Sequence, residues 1–239
     1  MTVDTTHRRG FLGRIFGAAV ALSATGAAGL AEAGQAATGP GPDDWIKGVK
    51  GTHRCLFDFP QHKNGMPLLH IANYLGTYAA AYKAAPGSAA AVGTFYSMGP
   101  QSSIPLAFND AMWAKYGLGD YLSLKDAAGK GYTRNVFNRP TAADLHIMMA
   151  AIQSPTIPAF AEMMPAIGIE SLQKMGTTFL LCANAFGGWC GELEARGKGK
   201  AAALQADLSA NMLPGVIIVP AMVIAIEKAQ GAGISYNRQ

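Results

Sequence analysis

Gly176-Thr177-Thr178-Phe179-Leu180-Leu181-Cys182-Ala183-Asn184-Ala185-Phe186-Gly187-Gly188-Trp189-Cys190 is the stretch on which the reading of this chain turns. It begins as a short apolar run of residues that favour strands. It ends in a cysteine, a polar turn at Asn184 and the pair Gly187-Gly188, and a helix is expected from about 188 to 196. A buried strand that delivers a thiol to its carboxyl end, facing a helix N-terminus, is a site geometry as well as a packing motif.

Other apolar runs lie on either side of this one. Residues 53–59 read as a first strand, halted by Pro60, and 89–96 as a second. Downstream, 215–219 is a fourth strand stopped by Pro220, and 234–236 a short fifth. Helical spacing fills the gaps. One helix runs from Pro67, in a first turn where proline is tolerated, to about 84. Others are expected over 104–116, from a cap at 141–144 to about 153, and over 169–175, 201–211 and 221–230. Strands alternating with helices, with near-continuous apolar strand cores, predict an α/β chain. The expected form is a single three-layer domain, a mainly parallel sheet of about five strands with helices on both faces. The central strand should be 178–182, and an insertion is expected at about 118–168.

Composition narrows the function classes. Hydrophobic residues make up 50% of the 239 positions and charged residues 14%, enough apolar material for a sizeable core and too little charge for global disorder. The formal net charge is +4, without any lysine–arginine block interleaved with aromatics, so no nucleic-acid partner is expected. Three cysteines do not make a disulfide framework.

The amino-terminal region reads as targeting. Arg8-Arg9-Gly10-Phe11-Leu12 precedes an uncharged run of apolar and small residues from Ile15 to about Leu30, and Ala31-Glu32-Ala33 fits a small-x-small cleavage site. The pattern resembles the bacterial twin-arginine export signal, although His7 and Gly13 depart from its usual flanks. A single membrane anchor is the competing reading. The run is rich in glycine and alanine and short for a bilayer, which favours a signal removed near Ala33. Residues 1–33 are therefore expected to be a signal peptide and 34–50 a flexible linker. The domain of 51–239 would fold in the cytoplasm and work in the periplasm, touching a membrane only through the export signal.

In a parallel sheet the loops after the strands gather on one edge, where ligands bind. Here those loops span 60–65, 97–103, 182–188 and 220–221. They offer His62 and Lys63, Tyr96 and Ser102, Cys182 and Asn184, with Trp189 and Cys190 just behind. Cys182 is the candidate catalytic residue, its thiolate favoured by a helix dipole. The competing reading is an inert core cysteine, since free cysteine is among the most buried residue types. His62, Lys63, Tyr96, Asn184, Trp189 and Cys190 are the candidate ligand-binding residues. Cys190 serves as a resolving thiol only if the turn brings the two Cα atoms within about 7 Å. Cys55 reads as packing. The histidines form no spaced ligand pair, and Met148-Met149 and Met163-Met164 read as core filler before soft metal ligands. The common nucleotide-binding and hydrolase motifs are absent, and no motif names a cofactor.

The order of elements is similar to that of the DsrE/DsrF-like family, small α/β domains associated with sulfur relay. Two places carry the likeness. One is Thr178-Phe179-Leu180-Leu181-Cys182-Ala183-Asn184-Ala185, preceded by Ile169-Glu170-Ser171-Leu172-Gln173-Lys174-Met175-Gly176. The other is the closing unit from Leu213-Pro214-Gly215-Val216-Ile217-Ile218-Val219-Pro220 through Ala229-Gln230-Gly231-Ala232-Gly233-Ile234-Ser235-Tyr236. The likeness covers most of 51–239 outside the insertion, and looks closest to exported members with twin-arginine signals. In sulfur-carrying members a cysteine after the third strand accepts a sulfane sulfur, and Cys182 matches that position. The resemblance further implies a homo-oligomer and a sulfur-donor or acceptor protein as partner. Two functions follow as expectations: persulfide carriage or redox exchange at Cys182, or a non-enzymatic periplasmic module binding a small ligand or metal in the same cleft.

Overall fold

The structure is a computed structural model that describes residues 41–148 and 158–239. The expected signal peptide, its cleavage site and the start of the linker, 34–40, lie outside the described residues. So do the far end of the helix expected to reach 153 and Met149.

Among the described residues five strands form one sheet: β1 (His53–Asp58), β2 (Ala89–Phe95), β3 (Thr177–Cys182), β4 (Val216–Val219) and β5 (Ser235–Arg238). Their order is β4-β3-β2-β1-β5, and every pairing is parallel. The central position belongs to β2 and not to β3, which lies one place in from the edge. Strand order is set by crossovers, and no local pattern in β3 encodes it.

The route of the chain explains the two unequal faces. From β1 to β4 each step moves the same way across the sheet, and right-handed crossovers put all the intervening helices on one face. The step from β4 to β5 returns across the whole sheet, so its helix lies on the opposite face. The first face carries α2 (Met66–Ala80), the long insertion and, after β3, helices α8 (Ala183–Ala195) and α9 (Ala201–Ala210). Between α2 and α8 the chain forms α3 (Asp110–Tyr116), α4 (Leu118–Tyr121), α5 (Leu145–Met148), α6 (Pro158–Met163) and α7 (Ile169–Lys174). The second face carries α10 (Met222–Gly231) and the single turn α1 (Trp45–Gly48).

Alternation along the strands feeds both layers. Phe57, Phe179 and Leu181 pack on the first face with Leu68, Ile71, Trp113, Phe137, Phe186 and Trp189. Leu56, Val92, Leu180, Cys182 and Val219 pack on the second with Met222, Ala225 and Ala229. Gly93 has a specific use: a Cβ there would meet the Phe179 ring at 2.5 Å. Its absence lets Phe179 stack on Phe95 at a centroid distance of 5.1 Å.

Three local expectations are corrected. The linker is not unstructured to residue 50, because Trp45 and Val49 are buried in the second-face cluster. The helix expected over 104–116 is interrupted. A 3-10 turn at Ile104–Ala107 gives way to extended Phe108, and α3 starts afresh from Asn109, whose side chain accepts the Met112 N–H at 3.2 Å. The helix after β3 begins at Ala183, so Gly187 and Gly188 lie within it and form no turn.

Candidate functional site

The third correction has a chemical cause. Cys182 ends β3 and is also the N-cap of α8, where its Sγ accepts the Ala185 N–H at 3.4 Å. A side chain that satisfies an orphan amide of the first turn starts the helix at once. The glycines then fall inside it, where Gly188 gives room for Met98, whose Sδ would lie 2.8 Å from a Cβ at that position.

The same sulfur also accepts the Met222 N–H, at 3.3 Å. Met222 is the first residue of α10, whose own N-cap, Ala221, supplies no side-chain bond. One sulfur thus stands at the amino ends of two helices that depart to opposite faces of the sheet. The Asn184 N–H reaches the Pro220 carbonyl at 3.3 Å, tying the two departures together. Adjacent strands whose following helices part in this way define the point at which ligands bind in open α/β sheets. The amino ends of two helices, with an amide from each, converge at this point. Cys182 itself is 5% exposed, so the sulfur is covered in this conformation.

Beside Cys182 on the second face lies a polar cluster at the carboxyl ends of β1, β2 and β5. Its centre is Asp58, 1% exposed. The Tyr96 and Tyr236 hydroxyls donate to its two carboxylate oxygens at 2.7 Å each, Thr94 Oγ1 donates at 3.4 Å, and the Arg238 guanidinium donates at 3.3 Å. Tyr96 packs against the cluster that contains Cys182. Its phenol pKa is pushed up, first by burial and then by the Asp58 carboxylate that accepts its proton. Asp58 was not among the sequence candidates. The signal was present: an acid closing an otherwise apolar parallel strand must be buried with partners.

The other candidates are dispersed. His62 is buried on the first face beside Phe137, with its Nδ1 accepting the Asn64 N–H at 3.1 Å. Its Nε2 then carries the hydrogen and makes no bond of proper geometry among the described residues. Burial pulls its pKa down to about 4, opposed only in part by the Pro100 carbonyl. Lys63 is exposed on the other side of the same loop, and Asn184 is exposed on the first turn of α8. Ser102 is fully buried and its hydroxyl donates to the Ser97 carbonyl at 3.1 Å, which closes that loop on itself. Trp189 and Cys190 are buried in the first-face cluster, away from Cys182. Burial pushes the Cys190 thiol up to about 12. All three cysteines are free. Cys190 follows the helix cap by eight residues, about 12 Å of helix rise, beyond disulfide reach.

Among the described residues, no group of three His, Cys, Asp or Glu is placed to hold a metal. Met164 is fully buried in the core, whereas Met163 is exposed, so that pair does not act as one ligand set. No described helix is long and apolar enough to cross a membrane. No protein-family model, curated protein or solved structure matches the chain.

Proposed function

We propose that the protein is an exported, DsrE-like sulfur-handling protein in which Cys182 accepts a sulfane sulfur. One observation carries the reading: Cys182 Sγ, at the carboxyl end of β3, receives amide hydrogens from the first turns of two helices. Those donors fix the sulfur at the strand end, where loops after parallel strands meet a ligand. The step balances without an external oxidant. The Cys182 thiolate attacks the outer sulfur of a donor persulfide, R–S–SH, and a new S–S bond forms. The donor's own S–S bond breaks, and R–S⁻ leaves and takes up a proton. Cys190 has no part in this. It lies on the other face, and burial keeps it as the neutral thiol.

Cys182 must first be reached. It lies under the amino end of α10, and displacing that one turn frees the Met222 donor and opens the sulfur. The test is intact mass after incubating the full chain with glutathione persulfide. The wild-type protein, Cys55→Ser and Cys190→Ser should each gain the mass of one sulfur, and Cys182→Ser should gain none. A wild-type protein that gains nothing, or a Cys182→Ser protein that gains as much, overturns the reading.

Export rests on Arg8 and Arg9. Changing both to Lys should leave the precursor in the cytoplasm, measured by fractionation. Continued export would show that another route is used.

A further inference from the structure

A cavity of about 710 Å³ lies between α2 and the edge strand β5, at the opposite side of the sheet from β3 and Cys182. Its size suits a small molecule. One wall is aromatic. Tyr74 and Tyr78, one turn apart on α2, meet edge to face with centroids 5.0 Å apart, and Phe57 of β1 sets its ring against Tyr74 at 5.5 Å. Burial, aided by nearby groups, raises the Tyr74 phenol pKa to about 12, so that ring stays uncharged at neutral pH.

Among the described residues, the charged side chains that line the cavity, Lys63 and Arg238, are both cationic. Arg238 is already engaged with Asp58, whereas the Lys63 ammonium has no carboxylate or hydrogen-bond partner among the described residues. Lys63 is also presented in an unusual way. Lys63 and Asn64 have φ of 40° and 52°, a left-handed backbone that non-glycine residues rarely adopt. The buried His62 holds that turn by accepting the Asn64 N–H. A fixed turn thus places an unpaired ammonium beside an aromatic wall.

We propose that this cavity binds a small anionic aromatic molecule, an aryl carboxylate, with its ring against Tyr74 and Tyr78 and its carboxylate at Lys63. An aromatic face gives the ring a partner of matching shape, and a charge-assisted bond to the ammonium orients it. The site is separate from Cys182 and does not depend on sulfur chemistry there.

The probes are 2-naphthoate and its neutral isostere 2-naphthamide, titrated into the full chain by calorimetry. 2-Naphthoate should saturate one site, and the amide should bind at least about tenfold more weakly, the worth of one charged hydrogen bond. Lys63→Gln should weaken naphthoate by a similar factor, Lys63→Arg should restore most of it, and Tyr78→Ala should abolish saturable binding. Cys182→Ser should bind as the wild type does. Absence of saturation by 2-naphthoate overturns the proposal. Equal binding of acid and amide, or unchanged binding by Lys63→Gln, overturns it as well.

Discussion

The two faces of the sheet are built from the same strands yet differ in kind. The first face is deep. Phe57, Phe95 and Phe179 of the strands lie under Trp113, Phe137, Phe186 and Trp189, supplied by the insertion and α8. Among the described residues the second is shallow, covered by α10 and one turn at Trp45. The polar cluster at Asp58 and the doubly capped Cys182 both lie on the shallow side. Depth and chemistry therefore separate. Where several elements overlap, opening any one leaves the others in place. Where one helix covers the strands, displacing a single turn exposes what lies below, and such local opening is the low-energy kind.

The comparison breaks most easily at its deep side. Trp189 is fully buried and stacks on Phe108 at 5.7 Å. Trp189→Ala should lower unfolding free energy by about 3–5 kcal/mol in a urea titration, and Met222→Ala on the shallow face by nearer to about 2 kcal/mol. Equal losses would show that the faces are equally packed.

His62 gives the next largest effect. Its folded pKa, about 4, lies below the ordinary value of 6.5, so the unfolded chain binds the extra proton first. Its contribution is complete above pH 6.5 and is lost as pH falls toward 4. The loss is on the order of 3 kcal/mol. His62→Asn keeps an acceptor for the Asn64 amide and should flatten the pH dependence of Tm across that window. An unchanged slope would mean that His62 is charged in the folded protein.

Asp58 should give the smallest loss. In Asp58→Asn only one of the Tyr96 and Tyr236 hydroxyls keeps an oxygen to donate to, the other meeting the amide NH2 from which it can accept, while Arg238 loses its ion pair. About 1–2 kcal/mol should be lost, measured by thermal melting at neutral pH. A loss as large as that of Trp189→Ala would make the cluster a part of the core and remove the contrast between the faces.

Parallel strands and helices on both faces were legible because apolar runs and breakers are local properties. Which strand is central was not. The return from β4 to the far side of β1 depends on surfaces 178 residues apart, as in the Tyr236–Asp58 bond. The position of Cys182 at a strand end was legible in the run from Thr177, but its second donor, Met222, lies 40 residues on. Trp189 and Cys190 looked like neighbours of the site because they are near it in sequence. Once α8 starts at Ala183, its apolar stripe of Phe186, Trp189, Cys190 and Leu193 belongs to the first face. The glycine pair misled for the same reason, since a breaker signal is overridden when a cap fixes the helix earlier. Asp58 was overlooked because an apolar strand was read for its apolar positions.

The pairing of β1 with β5 also sets an order of events. Until Ser235–Arg238 has emerged during synthesis, one side of β1 is a bare row of amides and carbonyls, open to any other strand. The sheet is therefore expected to stay open to other strands, and in need of a chaperone, until β5 is free. Nascent chains stalled short of residue 235 should be cut by protease within β1 and β2, and chains extended far enough to free β5 should resist. Protection in the stalled chains would show that β4-β3-β2-β1 stands without its final neighbour.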